Sequence, residues 1–488
     1  MSINLNDTAA PLREKRLGSV SGYSGNAEEL YKKSHDGSLK DTDRSFSQCT
    51  SCSANQVKNQ LVYIQDAAVV EHGPAGCSGD IPNRNMVGRS GRKKRKLPIR
   101  NLHYINTNLT EKDTIYGGAK KLELSIKEAK RRFNPKAIFV TTTCASGIIG
   151  DDVEAICNKV EREIGIPVIT IVCEGFRSKI WALGFDAAYH GILRKIVKPA
   201  VRRRNDLVNI INFQGKDIFT ELFGRLGLKV NYLVPYTTIE QLSHISEAAA
   251  TVQICATLGT YFAAGLEEHF GVPEVKSPPP YGIAGTDAWF RELGKVVHKE
   301  EEVEKLIAEE KERIAPKLSE LKEKLKGKKV YIGAGAAHGH GHGMMSIVKE
   351  LGMELVGGCT WHHDAKFDNG DDRADSLKHV VENYGNFKLS ICNKQSFELV
   401  NTLYNLKPDL FITRHASTIW ASKLGIPSLE MGDEHFAIGY QGLLNYGEVI
   451  LDTISNPMFV KKIAEHSKLP YTDWWLKQNA FKFLGGEA

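Results

Sequence analysis

The stretch Lys136–Ala155, KAIFVTTTCASGIIGDDVEA, decides the fold class. Its first part, Lys136–Thr143, is a continuous apolar and β-branched run of strand length, and next comes a turn with two glycines opening into a helical pattern. A strand that is apolar on both faces must be covered on both faces, which places it inside a parallel sheet. Runs of the same kind recur outward from it at Pro167–Cys173, Val208–Phe213 and Lys229–Pro235. After a gap they return at Lys328–Gly335, Met353–Gly358, Lys388–Cys392 and Leu410–Arg414, with amphipathic helical stretches between. The expectation is an α/β protein of three doubly wound, Rossmann-like domains with parallel sheets.

At 488 residues the chain is too long for one core. The expected division is a polar N-terminal arm over residues 1–45 that wraps rather than enters a core, then α/β domains over 46–205, 206–327 and 328–488. Lys299–Lys328 reads as a charged connector helix interrupted at Pro316. A hydrophobic content of 42% and a net charge of +6 are ordinary for a globular protein and do not point to nucleic acid. The one dense basic run, Arg89–Arg100, reads as a solvated loop, with docking of an anionic partner as the alternative. No stretch approaches the ~20 apolar residues of a membrane span, and Met1–Arg16 lacks the apolar segment of a signal peptide, so a cytoplasmic protein with no membrane contact is expected.

Nine cysteines, an odd number in a long chain, argue for thiolate chemistry rather than a disulfide framework. Cys52, Cys77, Cys144 and Cys255 each follow or interrupt a strand end or a Gly-rich turn, where ligands bind in open parallel sheets. In His72–Cys77, HGPAGC, Pro74 fixes the entry while Gly73 and Gly76 remove side-chain bulk, leaving room for an inorganic cluster. Cys157, Cys173, Cys359 and Cys392 lie in helical or strand contexts and read as buried structural thiols. Cys49 makes a C-x-x-C with Cys52, but no second C-x-x-C completes a zinc ribbon or ferredoxin pattern.

Four segments, HGPAGC, Cys144–Ala155, Pro167–Phe176 (PVITIVCEGF) and the Cys255 region with EEHFGVPE, resemble in order the α-type large subunits of nitrogenase and its relatives. The resemblance runs from about residue 46 to 455 and implies the nitrogenase component 1 fold. It implies that Cys52, Cys77 and Cys144 hold half of an eight-iron P-type cluster at the interface with a homologous β-type subunit, in an α2β2 heterotetramer. It further implies an active-site iron–sulfur cluster with a central carbide and unspecified heterometal, held by Cys255 and a histidine. In nitrogenase that histidine immediately precedes a G-[FY]-x-G segment. Here Ile438 precedes Gly439–Gly442, and the nearest histidine, His435, is assigned as the second ligand.

Two further departures bear on the chemistry. Phe185 stands where the resemblance places a substrate-facing imidazole, so dinitrogen reduction is not expected. The strand–turn KKVYIGAG runs into His338, His340 and His342, where nitrogenases carry arginines. Three histidines at this alternating spacing could bind zinc or donate hydrogen bonds and protons beside the cluster, since imidazole titrates near neutral pH, and they are assigned a catalytic role there, with the turn glycines Gly333 and Gly335 assigned to cofactor binding. A nucleotide loop is not expected, because the third glycine is missing and no acidic residue ends the next strand. His362, His363 and Asp364 are candidates for the same cavity. No P-loop occurs, so electrons would come from a separate ATP-hydrolysing iron protein. Among the relatives, the chain is most similar to the catalytic subunit of methylthio-alkane reductase, which cleaves a C–S bond of a small thioether substrate. A cofactor-assembly scaffold or a nitrogenase α subunit is the rival reading, while a tetrapyrrole-reducing relative is disfavoured by Cys255.

Overall fold

The computed structural model describes residues 3–42, 52–392, 396–414, 417–431 and 434–479. Cys49 lies outside the described residues. The described chain forms thirteen strands. They are β1 (Gly22–Asn26), β2 (Ala67–His72), β3 (Tyr104–Asn106), β4 (Ala137–Thr142) and β5 (Val168–Ile171). Next come β6 (Arg204–Ile211), β7 (Lys229–Leu233) and β8 (Ala248–Gln253). Last are β9 (Lys329–Ala334), β10 (Glu354–Thr360), β11 (Lys388–Cys392), β12 (Leu410–Thr413) and β13 (Ser428–Glu430).

The chain divides into two compact units. The first comprises residues 1–16, 51–254 and 258–275, and contains a four-stranded sheet in the order β3-β2-β4-β5 and a three-stranded sheet in the order β7-β6-β8. The second comprises residues 17–50, 255–257 and 276–488, built on a six-stranded sheet in the order β1-β11-β10-β9-β12-β13. Every pairing is parallel except β1 with β11.

Continuous apolarity does what parallel pairing demands. All six residues of β4 are buried, as are all six of β2. Ile138 and Val140 pack with Leu122 and Ile126 of the helix Ala119–Phe133 and with Val153 and Val160 of the helix Val153–Ile164. Each such side chain contributes about 1.5–3 kcal/mol by leaving water, so this layer outweighs any single polar contact in the unit.

Each sheet has a point where the strand order reverses. In the four-stranded sheet the chain steps from β2 to β3 on one side and returns to β4 on the other, and in the three-stranded sheet β6 is flanked likewise by β7 and β8. In the six-stranded sheet β9 is flanked by β10 and β12. Loops at the carboxyl ends beside such reversals diverge and leave a crevice. Cys77 follows β2, Cys144 follows β4, Cys255 follows β8, and the His338–His342 turn follows β9.

Three expectations need correction. The residue 1–45 region is not a bare arm: β1 is the antiparallel edge of the six-stranded sheet, followed by a helix Ala27–His35 whose Asn26 side chain accepts from the Glu29 amide. Arg13 and Arg16 are buried and both bind the Asp186 carboxylate, at 2.6 and 2.5 Å. The connector is one helix, Glu300–Leu325, that continues through Pro316. Loss of one backbone hydrogen bond is outweighed because Ile314, Leu318, Leu321 and Leu325 are buried along one face on both sides of the proline. The start of the basic run lies in the helix Ile81–Lys94, and the Arg95 guanidinium sits 3.8 Å above the Tyr232 ring while donating to the carbonyls of Gly215 and Phe213. Part of that run is therefore packed rather than solvated.

The helix Ser53–Leu61 that begins after Cys52 lies against the helix Leu183–Lys195 at Gly184. A Cβ on Gly184 would stand 2.2 Å from the Ser53 carbonyl oxygen and 2.7 Å from the Gln56 Cβ. Gly184→Ala is expected to push the two helices apart at a cost of about 1–3 kcal/mol. Chemical denaturation of the purified chain checks this, and an unchanged midpoint would refute it.

Candidate functional site

The first constellation is made of thiols and lies in the first unit. Cys52 caps the helix Ser53–Leu61 in extended conformation, Cys77 sits in a short turn after β2, and Cys144 opens the short helix Cys144–Ile149 after β4. Pairing of His72 with Thr142 brings the ends of β2 and β4 level, so their loops emerge together. The Thr143 hydroxyl donates to the His72 carbonyl at 2.9 Å, tying one loop to the other. Opposite them, after β5, lies Gly175, whose missing side chain makes the space: a Cβ there would meet the Cys52 sulfur at 3.0 Å and the Cys144 sulfur at 3.2 Å. Cys77 is exposed, and Cys52 and Cys144 are half-buried.

A charged network that sequence reasoning missed holds the Cys77 turn. The buried Lys58 ammonium lies 2.7 Å from Glu71 Oε1 on β2 and also donates to the Cys77 carbonyl. The other carboxylate oxygen of Glu71 accepts from the Ser78 hydroxyl at 2.9 Å, the Asn106 amide at 2.8 Å and the Tyr104 hydroxyl. Both charges are almost wholly removed from water, and each depends on the other for compensation. Burial, then the Glu71 carboxylate, pushes the Cys77 thiol up; Lys58 opposes, and Cys52 and Cys144 add to the rise. The signal available in sequence was a lysine six residues after Cys52 and an acid in an otherwise apolar strand.

The second constellation lies in the second unit. Cys255 is 2% exposed, and its thiol donates to the His338 carbonyl at 3.3 Å. The turn Ala337–Gly341 lies directly on this sulfur, with Gly339 at φ 137°, where a Cβ would stand 2.5 Å from Cys255 Sγ. His338, His340, His342, His362 and His363 are all buried to 1% or less. The His338 ring lies 4.6 Å from His363 and 5.2 Å from His342, centre to centre, with its Nδ1 3.6 Å from the Asp375 carboxylate. His342 Nδ1 pairs with the Ser376 hydroxyl at 2.8 Å, and His363 Nε2 with the Ser34 hydroxyl at 2.8 Å. His435 is buried with its ring 5.6 Å from His340, whose Nδ1 meets the Tyr281 hydroxyl.

The expected residues Cys255, His338, His340, His342, His363 and His435 are thus linked by contacts in one buried region. Gly333 and Gly335, assigned to cofactor binding, are also required by packing, since a Cβ would meet the Phe411 ring at 3.0 Å and the Trp361 ring at 2.6 Å. Phe185 is buried in the first unit, edge-on to Trp181. Tyr281, Asp375, Ser34 and Ser376 were missed, because none stands near a motif and each reaches the histidines only through the fold. Among the described residues no three His, Cys, Asp or Glu side chains are grouped to hold a single metal ion, and no helix is long and apolar enough to cross a membrane.

The model of nitrogenase component 1 type oxidoreductases matches residues 52–455. The chain belongs to this family. It is 28% identical over 424 residues to the nitrogenase iron-molybdenum cofactor biosynthesis protein NifE of Methanococcus maripaludis, covering 84% of each chain. It is 30% identical over 417 residues to the nitrogenase molybdenum-iron protein alpha chain of Methanothermobacter thermautotrophicus, covering 81% of this chain and 85% of that one. The structure superposes on that titled nitrogenase Cp1 at pH 6.5 with a TM-score of 0.70 at 22% identity, over 88% of this chain and 92% of the other, which establishes the nitrogenase component 1 fold. Its place is that of an alpha-type component 1 subunit.

The electrostatics of this component 1 chain's histidine cluster are set by burial. Burial, then the neighbouring His338 and His363 rings, holds His342 well below the usual imidazole value, and burial does the same for His363. Burial also lowers His338, against the opposing pull of Asp375 and Asp364. A histidine lowered in the folded state binds fewer protons there than in the unfolded chain, so it makes no difference while both states are neutral and destabilises the fold increasingly as pH falls below the unfolded value of about 6.5. The unfolding free energy from chemical denaturation is expected to fall between about pH 7.5 and 5.5, with a slope approaching about 1.4 kcal/mol per pH unit for each such histidine once below that value. His342→Leu is expected to flatten the slope, and an unchanged slope would remove His342 from the account.

Proposed function

We propose that this chain is the catalytic subunit of a two-component iron–sulfur reductase that cleaves a C–S bond of small thioethers, the methylthio-alkanes. In the overall reaction the thioether takes up two electrons and two protons and leaves as methanethiol and a hydrocarbon. The observation that carries the reading is the set of buried imidazoles that runs from the His338 turn on Cys255, of which burial keeps His338, His342 and His363 neutral, with His342 Nε2 and His363 Nδ1 lacking a hydrogen-bond partner among the described residues. Reductive cleavage consumes protons, and a neutral imidazole can take a proton on one ring nitrogen while giving one up from the other, so a chain of such rings is suited to pass protons on. Neutral rings also suit a small uncharged substrate better than an anionic one. Simple retention of a cluster calls for no such set.

The donor sets fit the groups that the family implies. Cys52, Cys77 and Cys144, ranged about the gap at Gly175, suit a polynuclear iron–sulfur group better than a single ion, and half-exposed thiols suit one shared with a second subunit. Ile115, Tyr116, Ile148 and Phe176 leave large apolar surface exposed in the same unit, in keeping with a homologous β-type partner and an α2β2 assembly. Cys255 and His435 would hold the active-site cluster, which supplies electrons at the substrate. Because the His338–Gly339 turn lies on the Cys255 sulfur, that turn must yield to admit the group, and Gly339 is the residue that lets it fold so closely. A P-loop iron protein would deliver electrons with ATP hydrolysis.

Anaerobic purification with the β-type subunit and assay with iron protein, ATP and dimethyl sulfide is expected to release methane and methanethiol. Cys255→Ala is expected to abolish that release and to remove about half of the iron while leaving the interfacial cluster's spectrum. Full activity in this variant would overturn the assignment. A second reading, a cofactor-assembly scaffold, draws support from the NifE likeness at 28% identity. Iron bound without turnover, and given up to a cluster-free acceptor, would establish it instead.

A further inference from the structure

Two thiols read from sequence as separate structural cysteines meet in the second unit. Cys359 lies near the end of β10 and Cys392 is the last residue of β11. Parallel pairing sets Cys359 opposite Ser390, so Cys392 falls two residues further along on the same face of the sheet. Their sulfurs are 3.1 Å apart. That is closer than two sulfurs come without a hydrogen bond or bond between them, and about 1 Å from covalent distance. Cys392 stands at the end of its strand, where the ladder resists the small shift needed least.

The pair opens on a cavity of about 40 Å³ whose lining includes Tyr331, Gly333, Trp361, Ser390 and Thr413. This volume takes one molecule of about the size of water and excludes a tripeptide disulfide. Cys359 is half-buried, whereas Cys392 is 7% exposed, so the two sulfurs differ in access. We propose that Cys359 and Cys392 are a peroxide-reactive dithiol that closes reversibly to a disulfide. The Cys359 sulfur attacks one oxygen of hydrogen peroxide, the O–O bond breaks, and the departing hydroxide leaves as water with the thiol proton. The resulting sulfenic acid is attacked by the Cys392 sulfur, the S–O bond breaks, and a second water leaves with the second thiol proton. Two thiols lose two electrons and the peroxide gains them. The bond joins β10 to β11 immediately before Trp361, His362 and His363, and so records oxidant exposure next to the histidine cluster. This site stands independently of the reductase reading.

The test uses the full chain purified anaerobically, treated with one equivalent of hydrogen peroxide or of oxidised glutathione, then denatured in an alkylating agent and peptide-mapped. Peroxide is expected to give a joined Cys359–Cys392 peptide lighter by two hydrogens, restored to two thiols by dithiothreitol, while glutathione disulfide closes it far more slowly. Cys157 and Cys173, whose thiols burial pushes up to about 12, are expected to be labelled only after denaturation. In Cys392→Ser the reaction is expected to stop at a Cys359 sulfenic acid, trapped by dimedone added together with the denaturant. Two alkylated thiols after peroxide, or no dimedone adduct at Cys359 when a Cys392→Ser chain that was folded during peroxide treatment is denatured in dimedone, would overturn the proposal, as would equal closure by both oxidants.

Discussion

Parallel pairing of β2 with β4 is the constraint on which the thiol site depends. Its register sets His72 beside Thr142, so the loops after the two strands must begin at the same height and share one edge of the sheet. From there the chain has little freedom. The Thr143 hydroxyl bonds the His72 carbonyl, Gly73 leaves space for the Thr143 side chain, and the loops deliver Cys77 and Cys144 to one side. A one-residue slip would replace Ile138 and Val140 by side chains of other size and shape in the layer packed on Leu122 and Ile126 and so misfit it. The packed layer, more than any single hydrogen bond, thus holds the site's geometry.

The two constellations use burial in opposite ways. Around Cys77 the fold buries real charges, Lys58 and Glu71, and compensates them with each other and with the Ser78, Asn106 and Tyr104 donors. Around Cys255 burial keeps the imidazoles neutral, with Asp364 and Asp375 as nearby acids. The first arrangement makes a rigid mount for a turn. The second keeps exchangeable protons on short hydrogen-bonded tethers to Ser34 and Ser376. In this chain both lie on loops at the carboxyl ends of strands beside strand-order reversals, where loops part and side chains from different strands converge.

Much of this was legible in the chain. The continuous apolar runs announced β4, β5, β6, β7, β9, β10, β11 and β12, because a strand covered on both faces leaves a local composition that needs no tertiary information. β2 escaped notice, since Glu71 and His72 interrupt an otherwise apolar run and their neutralising partners lie elsewhere in the chain. β1 was hidden for another reason: Gly22–Asn26 is polar and glycine-rich, and becomes a strand only because the β11 edge offers it a ladder. Pro316 reads locally as a break, yet buried apolar side chains before and after it hold the helix together.

Residue type and spacing by themselves determined the α/β class, the family likeness and which cysteines sit at strand ends, since these depend on local patterning and on short motifs. Only the tertiary structure decided which residues meet. The sulfur-lined gap at Gly175, the lysine under the Cys77 turn, the closure of the His338–Gly339 turn on Cys255 and the contact of Cys359 with Cys392 all join positions well separated along the chain. Such contacts leave no periodic trace, because they arise from strand register and loop divergence, and register is a property of the packed sheet rather than of any one segment of chain.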